Sequence, residues 1–261
     1  MIKFFRKIRQ NLIMDNKTGK YLKYAIGEII LVVIGILIAL SINNWNEHRK
    51  ERIKEQAILI QLRDDYKSNL LQLEQKIEMR KSIIYNALKV LNIIDNPNLV
   101  NRDSLITYLS NLGIDPTFDP IQNGLNSSEN IRLISNKKLK RLLSNWTSDI
   151  VAVKEMEYIW SGIVYQKMLP TFMNLGISRD LTNKYWNNTR MFWLLDEGSF
   201  TKETPIGKSK LGTSLTEIID NRNIESLASY AISYNRLANL QSKTLHKRIT
   251  EILNLIESEI E

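Results

Sequence analysis

The sequence predicts an all-α protein, with one N-terminal transmembrane helix continuing into an extramembrane bundle of long antiparallel helices. Three observations predict it. Between Tyr24 and Trp45 runs the apolar segment AIGEIILVVIGILIALSINN. After it come three long stretches whose apolar residues recur at helical spacing, broken by Asp95-Asn96-Pro97, by Pro170 and by loops. No region shows strict apolar–polar alternation or a β-branched run bounded by turns, the marks of a sheet.

Taken in order, residues 1–23 form a basic arm, 24–45 the transmembrane helix and 46–261 the extramembrane domain. The net charge is +8, but Lys3, Arg6, Lys7, Arg9, Lys17, Lys20 and Lys23 stand against Asp15 alone in residues 1–24. That local balance of +6 leaves only +2 for the other 237 residues. The basicity therefore flanks an apolar segment, where anionic lipid headgroups attract it, and argues against nucleic acid as a partner.

A bilayer core about 30 Å thick takes roughly 20 helical residues at about 1.5 Å each. Tyr24 and Trp45 lie 21 positions apart, so their rings fit the two headgroup layers. Seven Lys/Arg precede the segment, and Arg49, Lys50, Arg52, Lys54 and Arg63 follow it. This bias predicts a cytoplasmic N-terminus and a periplasmic C-terminal domain anchored in the inner membrane. Ala39-Leu40-Ser41 has the small residues of a cleavage site. The long basic arm and the unbroken run into a charged helix favour an uncleaved signal anchor instead.

Glu28 is the one ionisable residue within the segment, a membrane-embedded acid of candidate function. It would act as a protonatable site of an ion-coupled complex, or else reach back to Lys23 or to water at the interface, which its place one turn from Tyr24 favours. Gly27, Gly35 and Ala39 share one face and permit close helix packing.

Past Trp45 the sequence EHRKERIKEQ is too polar for lipid. A heptad frame follows at Arg63/Tyr66, Leu70/Leu73, Ile77/Arg80, Ile84/Ala87 and Leu91/Ile94, with eight of ten positions apolar. The spacing predicts a helix from Glu47 to Ile94 whose coiled-coil-like seam packs within the chain or makes a homo-oligomer. Arg63 and Arg80 in the seam, with Leu62, Leu71 and Ile83 beside it, favour a broader bundle face.

Asp103 is placed to cap a short helix around Ser104–Leu112. The loop GIDPTFDPIQNGLNSSEN follows. Its Asp115 and Asp119 each precede a proline, which reads as turn formation in preference to a metal site. A second long helix is expected from Asn136 to Leu169, capped by Ser135 and ended by Pro170, with Leu139, Leu143, Trp146, Ile150, Val153, Trp160 and Val164 on its core face. Lys137, Lys138, Lys140 and Arg141 crowd its start as a solvated charged face. Residues 170–212 read as irregular, their Phe172, Tyr185, Trp186, Phe192, Trp193 and Phe200 plugging the bundle or lining a binding surface. A short helix near Ser214–Asp220 and a final helix from Ile224 to Ile260 complete the chain.

The search for chemistry yields no catalytic, cofactor-binding or metal-binding residues. Cysteine is absent, which excludes disulfides and thiolate chemistry. His48 and His246 lie 198 residues apart and have no metal-motif spacing. Gly207-Lys208-Ser209 ends like a phosphate-binding loop, but Lys202 stands where the pattern needs glycine. The expectation is a non-enzymatic protein without cofactors, acting on a protein partner in the periplasm. A ligand-sensing domain working through a partner, with the aromatic stretch 170–200 closing a pocket, is the alternative.

The opening MIKFFRKIRQNLI and the run KTGKYLKYAIGEIILVVIGILIALSINNWNEHRKER, with Gly27-Glu28 and Asn43-Asn44-Trp45-Asn46-Glu47 in order, resemble a family of uncharacterised single-pass membrane proteins of Gram-negative bacteria. Leu125-Asn126-Ser127-Ser128 and Ile131-Arg132-Leu133-Ile134-Ser135-Asn136 are similar to that family's second recurring stretch, where it has a glycine near Glu129 and Asn130. The resemblance implies an anchored α-helical domain of unknown function and supplies no activity and no catalytic residues.

Overall fold

The computed structural model describes residues 18–97, 101–122, 128–188, 206–210 and 212–260. The described residues are mostly helical, with no strand. The helices are α1 (Thr18–Asp95), α2 (Arg102–Ser110), α3 (Ser128–Leu133), α4 (Lys137–Ile163), α5 (Leu169–Asn174), α6 (Ser178–Asn188), α7 (Leu215–Ile219) and α8 (Arg222–Glu259), with a π-helical turn at Val164–Met168. The chain divides into two units, Met1–Ala57 and Ile58–Glu261, the break falling within α1.

In the first unit α1 carries the apolar segment. Past it the helix is laced by pairs one turn apart, Lys50–Glu47 at 3.0 Å, Arg52–Glu55 at 2.9 Å and His48–Glu51 at 3.5 Å. Such pairs each add a few tenths of a kcal/mol, about 0.2–0.5, and support a helix whose polarity makes it unfit for lipid.

The second unit is a bundle of α1 from Ile58 onward, α4 and α8. Lys67 meets Glu257 at 2.8 Å, Glu74 meets His246 at 2.9 Å and Arg80 meets Ser242 at 2.8 Å, so α8 runs antiparallel to α1. Asn136 bonds Glu259 at 2.7 Å and Lys138 pairs with Glu251 at 2.7 Å, so α8 is also antiparallel to α4. Consequently α1 and α4 run in the same direction.

Parallel neighbours need a return crossing, and residues 111–122 supply it as an extended segment without helix. Side chains of the flanking helices bond its backbone at four residues, since buried peptide groups need partners. Trp160 Nε1 donates to the Ile114 carbonyl at 2.9 Å, Phe118 N–H to Glu157 at 3.0 Å, Asp119 N–H to Gln72 at 2.9 Å, and Asn69 both accepts from and donates to Ile121. Phe118 is fully buried.

Two apolar clusters fill the bundle. One joins Leu59, Leu62, Tyr66 and Leu73 to α4 from Leu139 to Val153 and to the C-terminal half of α8. The other joins Ile83, Ala87, Val90 and Ile93 to Trp160, Val164, Phe172, α2 and the start of α8. Every expected core position of α4 is buried, as are Leu227, Ala231, Ala238, Leu245, Ile249, Ile252 and Ile256 of α8. On α1 the buried face is broader than a coiled-coil seam: Tyr66, Leu73, Arg80 and Ala87 are buried, but so are Leu62, Met79, Ile83, Val90 and Ile93.

Four expectations need correction. Asn136, not Ser135, caps α4 by accepting from Leu139 N–H, and Asn101, not Asp103, caps α2 by accepting from Ser104 N–H at 2.9 Å. Asparagine suits both positions because its side-chain carbonyl reaches the N–H three residues on. Pro170 does not end the helical path. The π turn, in which Leu169 N–H donates to the Val164 carbonyl, leads directly into α5, where Pro170 occupies the first turn and needs no N–H partner. Nor is the stretch after it irregular throughout, since α5 and α6 lie within it.

Candidate functional site

The apolar segment of α1 is the first candidate. An 18-residue window of this helix reaches mean hydropathy 2.8, and none of it is buried. Ile29 is 63% exposed, Leu31 70% and Leu37 59%, on different faces of the helix. A helix apolar all round suits a core or a membrane, and no other described element covers this one. It is compatible with a single-pass membrane anchor. Glu28 lies within it, half-buried, and a Cβ added at Gly27 or Gly35 would meet nothing within 4 Å.

The second candidate lies between the two apolar clusters. Arg80 and Glu157 are ion-paired at 1% and 4% side-chain exposure. Arg80 also donates to Ser242, and Glu157 accepts Phe118 N–H through its other oxygen. Burial pushes the Glu157 carboxyl upward against the attraction of Arg80, and burial lowers the Lys76 ammonium against the pull of Glu157. Through these bonds Arg80 and Glu157 join α1, α4, α8 and the return segment in one register.

The sequence held a signal for it. Arg80 sits in the seam of α1, and the core frame of α4 skips one slot between Val153 and Trp160, which Glu157 fills. Two seam residues of opposite charge are candidates for one pair.

The third candidate is a cavity of about 500 Å³ between α2, the start of the return segment, α5 and α6. Leu109, Ile114, Phe172, Leu181, Tyr185 and Trp186 are among the residues that line it. The α5–α6 corner closes with Ile177 N–H on the Phe172 carbonyl at 3.2 Å, and Gly176 takes φ 65°, a conformation glycine adopts without strain. Outside the cavity two ion pairs tie α2 to α6, Arg102–Asp180 at 2.7 Å and Lys184–Asp103 at 2.5 Å.

Phe172 and Tyr185 pack into the bundle core, as a plug does, while Trp186 is 43% exposed. Burial raises the Tyr185 hydroxyl to about 12, so it stays protonated. Phe192, Trp193 and Phe200 lie outside the described residues, as does the arm before Thr18.

The remaining sequence candidates have structural partners. Asp115 accepts from Ser161 at 2.9 Å and Asp119 pairs with Lys154 at 3.3 Å, pinning the return segment to α4. Among the described residues no three His, Cys, Asp or Glu side chains gather as metal ligands. Lys140 donates to the Arg132 carbonyl at 3.1 Å, consistent with a solvated face at the start of α4. Ser209 N–H meets Asp180 at 2.7 Å, so the apparent phosphate loop holds a carboxylate of its own chain. Burial would raise the Asp180 carboxyl, but Ser209 N–H and Arg102 outweigh it and hold it below the usual range.

No curated protein and no solved structure matches the chain. Residues 28–97, which span most of the apolar segment and the α1 face of the bundle, match a family described as a family of unknown function (DUF6090).

Proposed function

We propose that the chain is a single-pass protein of the bacterial inner membrane, with its N-terminus in the cytoplasm and its helical bundle in the periplasm. There the bundle serves as an interaction or assembly module and performs no catalysis. The observation that carries this reading is the exposure of twelve Ile, Leu and Val side chains on α1 between Ile26 and Ile42. At about 1.5–3 kcal/mol for each such side chain, leaving them in water forgoes roughly 20–35 kcal/mol. Net folding stability is only about 5–15 kcal/mol, so a solvent of lipid is the economical explanation.

The excess of Lys and Arg before the segment supports the orientation. On the bundle, Tyr158 is 82% exposed and Tyr165 60%, seven residues apart, the residue type that protein interfaces favour. The partners are thus membrane lipid and a protein, either a different chain or a second copy, and not nucleic acid.

Alkaline carbonate extraction with protease accessibility of a C-terminal epitope tests the placement: the protein should stay with the membrane and lose its epitope only once the outer membrane is opened. Release by carbonate, or an epitope protected in intact spheroplasts, overturns it. In-cell crosslinking with mass spectrometry then tests the module, which predicts a reproducible crosslink from the bundle; none across several linker lengths argues against it. If Glu28→Gln abolishes the deletion phenotype's rescue while localisation holds, the ion-coupled reading replaces this one. The cavity beside α6 favours a second reading, a ligand-sensing domain that relays through a partner.

A further inference from the structure

We propose that the cavity between α2, α5 and α6 is a binding site for a neutral, mainly apolar small molecule that carries a hydrogen-bond donor. The proposal goes beyond the membrane reading and does not depend on it. Three features carry it.

The first is chemical. None of the described residues lining the cavity is charged. The ion-paired groups nearby face one another across α2 and α6 and are already committed, Arg102 to Asp180 and Lys184 to Asp103. An anionic ligand would lose its water and find no cation inside, a cost of several kcal/mol by order of magnitude for a buried unpaired charge. The wall therefore rejects carboxylates and phosphates and accepts neutral molecules.

The second concerns polarity. Ser110 and Thr182 line the cavity, and each hydroxyl hydrogen is spent on its own helix, Ser110 on the Thr107 carbonyl at 2.8 Å and Thr182 on the Ser178 carbonyl at 2.9 Å. What these oxygens still offer is a lone pair. They favour a ligand that donates, such as an alcohol, over a hydrocarbon.

The third is construction. The cavity falls within the usual size range for small-molecule sites, about 300–1,000 Å³. Its floor is fixed by Trp160 on Ile114, and its two helical walls by the paired charges outside. The π turn at Val164–Met168, a feature frequent at functional sites, leads into the wall helix α5. Met173, 70% exposed, and Leu169, 40% exposed, stand apolar at the mouth, where a ligand's body would cover them.

Hydrogen exchange with mass spectrometry on the full chain in lipid nanodiscs tests the site with three probes of one shape: 1-naphthalenemethanol, 1-methylnaphthalene and 1-naphthoate. The alcohol should protect residues 109–114 and 169–188, the hydrocarbon about tenfold more weakly for want of one hydrogen bond, and the anion not at all. Two variants guard against lipid partitioning. Gly113→Phe, where an added Cβ meets nothing within 4 Å, should abolish protection. Met173→Lys, at an exposed position, should admit 1-naphthoate. Absence of protection by the alcohol, equal protection by 1-naphthoate in the unaltered chain, or protection that survives Gly113→Phe overturns the proposal.

Discussion

Two stretches of α1 share helical structure and a wealth of Ile and Leu, yet treat their side chains in opposite ways. Between Ile29 and Leu40 apolar groups are exposed on all faces; between Leu59 and Ile93 they are buried on one face, with Leu59, Leu62 and Ile83 at 0–1% exposure, while the exposed Lys67, Glu74, Glu78 and Lys81 flank it. Helicity alone therefore says little about surroundings. The angular distribution of apolar residues says which solvent each stretch was built for.

The largest effect should come from charging the first stretch. Ile34→Lys with Leu37→Lys places two cations mid-segment, at about 3 kcal/mol each on insertion scales, and flotation should find the protein gone from the membrane fraction. Next comes the buried pair of the second stretch. Arg80→Ala leaves Glu157 buried and unpaired and should cost about 3–5 kcal/mol in urea denaturation, whereas Arg80→Met with Glu157→Leu should recover most of it.

Asp180→Asn should cost about 1–3 kcal/mol at neutral pH by weakening its bonds to Arg102 and Ser209. The folded-state carboxyl lies below its ordinary 3.8, so its stabilisation is complete above that value and is lost as pH falls through the folded one. The gap between wild type and variant should therefore close in acid, as read by denaturation at stepped pH. Ser214→Ala removes the capping box that starts α7 and should lower Tm by about 2–4 °C. Smallest is Leu71→Lys: at 60% exposure in the second stretch it should change stability by less than about 0.5 kcal/mol, against the loss of membrane association expected from the same residue type at Ile34.

Periodicity made the helices legible, because burial follows the helical repeat: Leu139, Leu143, Trp146, Ile150 and Val153 are buried as their spacing predicts. What it cannot carry is contact between distant segments. Arg80 and Glu157 stand 77 residues apart, and only the missing slot in the α4 frame hints at them. Helix α6, SRDLTNKYWNN, hides for another reason: it has few apolar residues, and Leu181 and Tyr185 one turn apart form too short a pattern to separate from a loop. The caps went one or two residues astray because Ser135 and Asn136, or Asn101 and Asp103, are all competent, and local geometry chooses. The cavity was legible only as an aromatic stretch; its uncharged wall arises from α2 and the return segment, which sequence distance conceals.

The extended return through residues 111–122 also governs the order of assembly. Because it sends α4 up alongside α1, neither helix can complete its burial until α8 arrives, and the bond from Arg80 to Ser242 spans 162 residues. Folding must therefore await nearly the whole bundle sequence, with loop closure coming before most of the reward, which makes this domain a slow folder for its helical content.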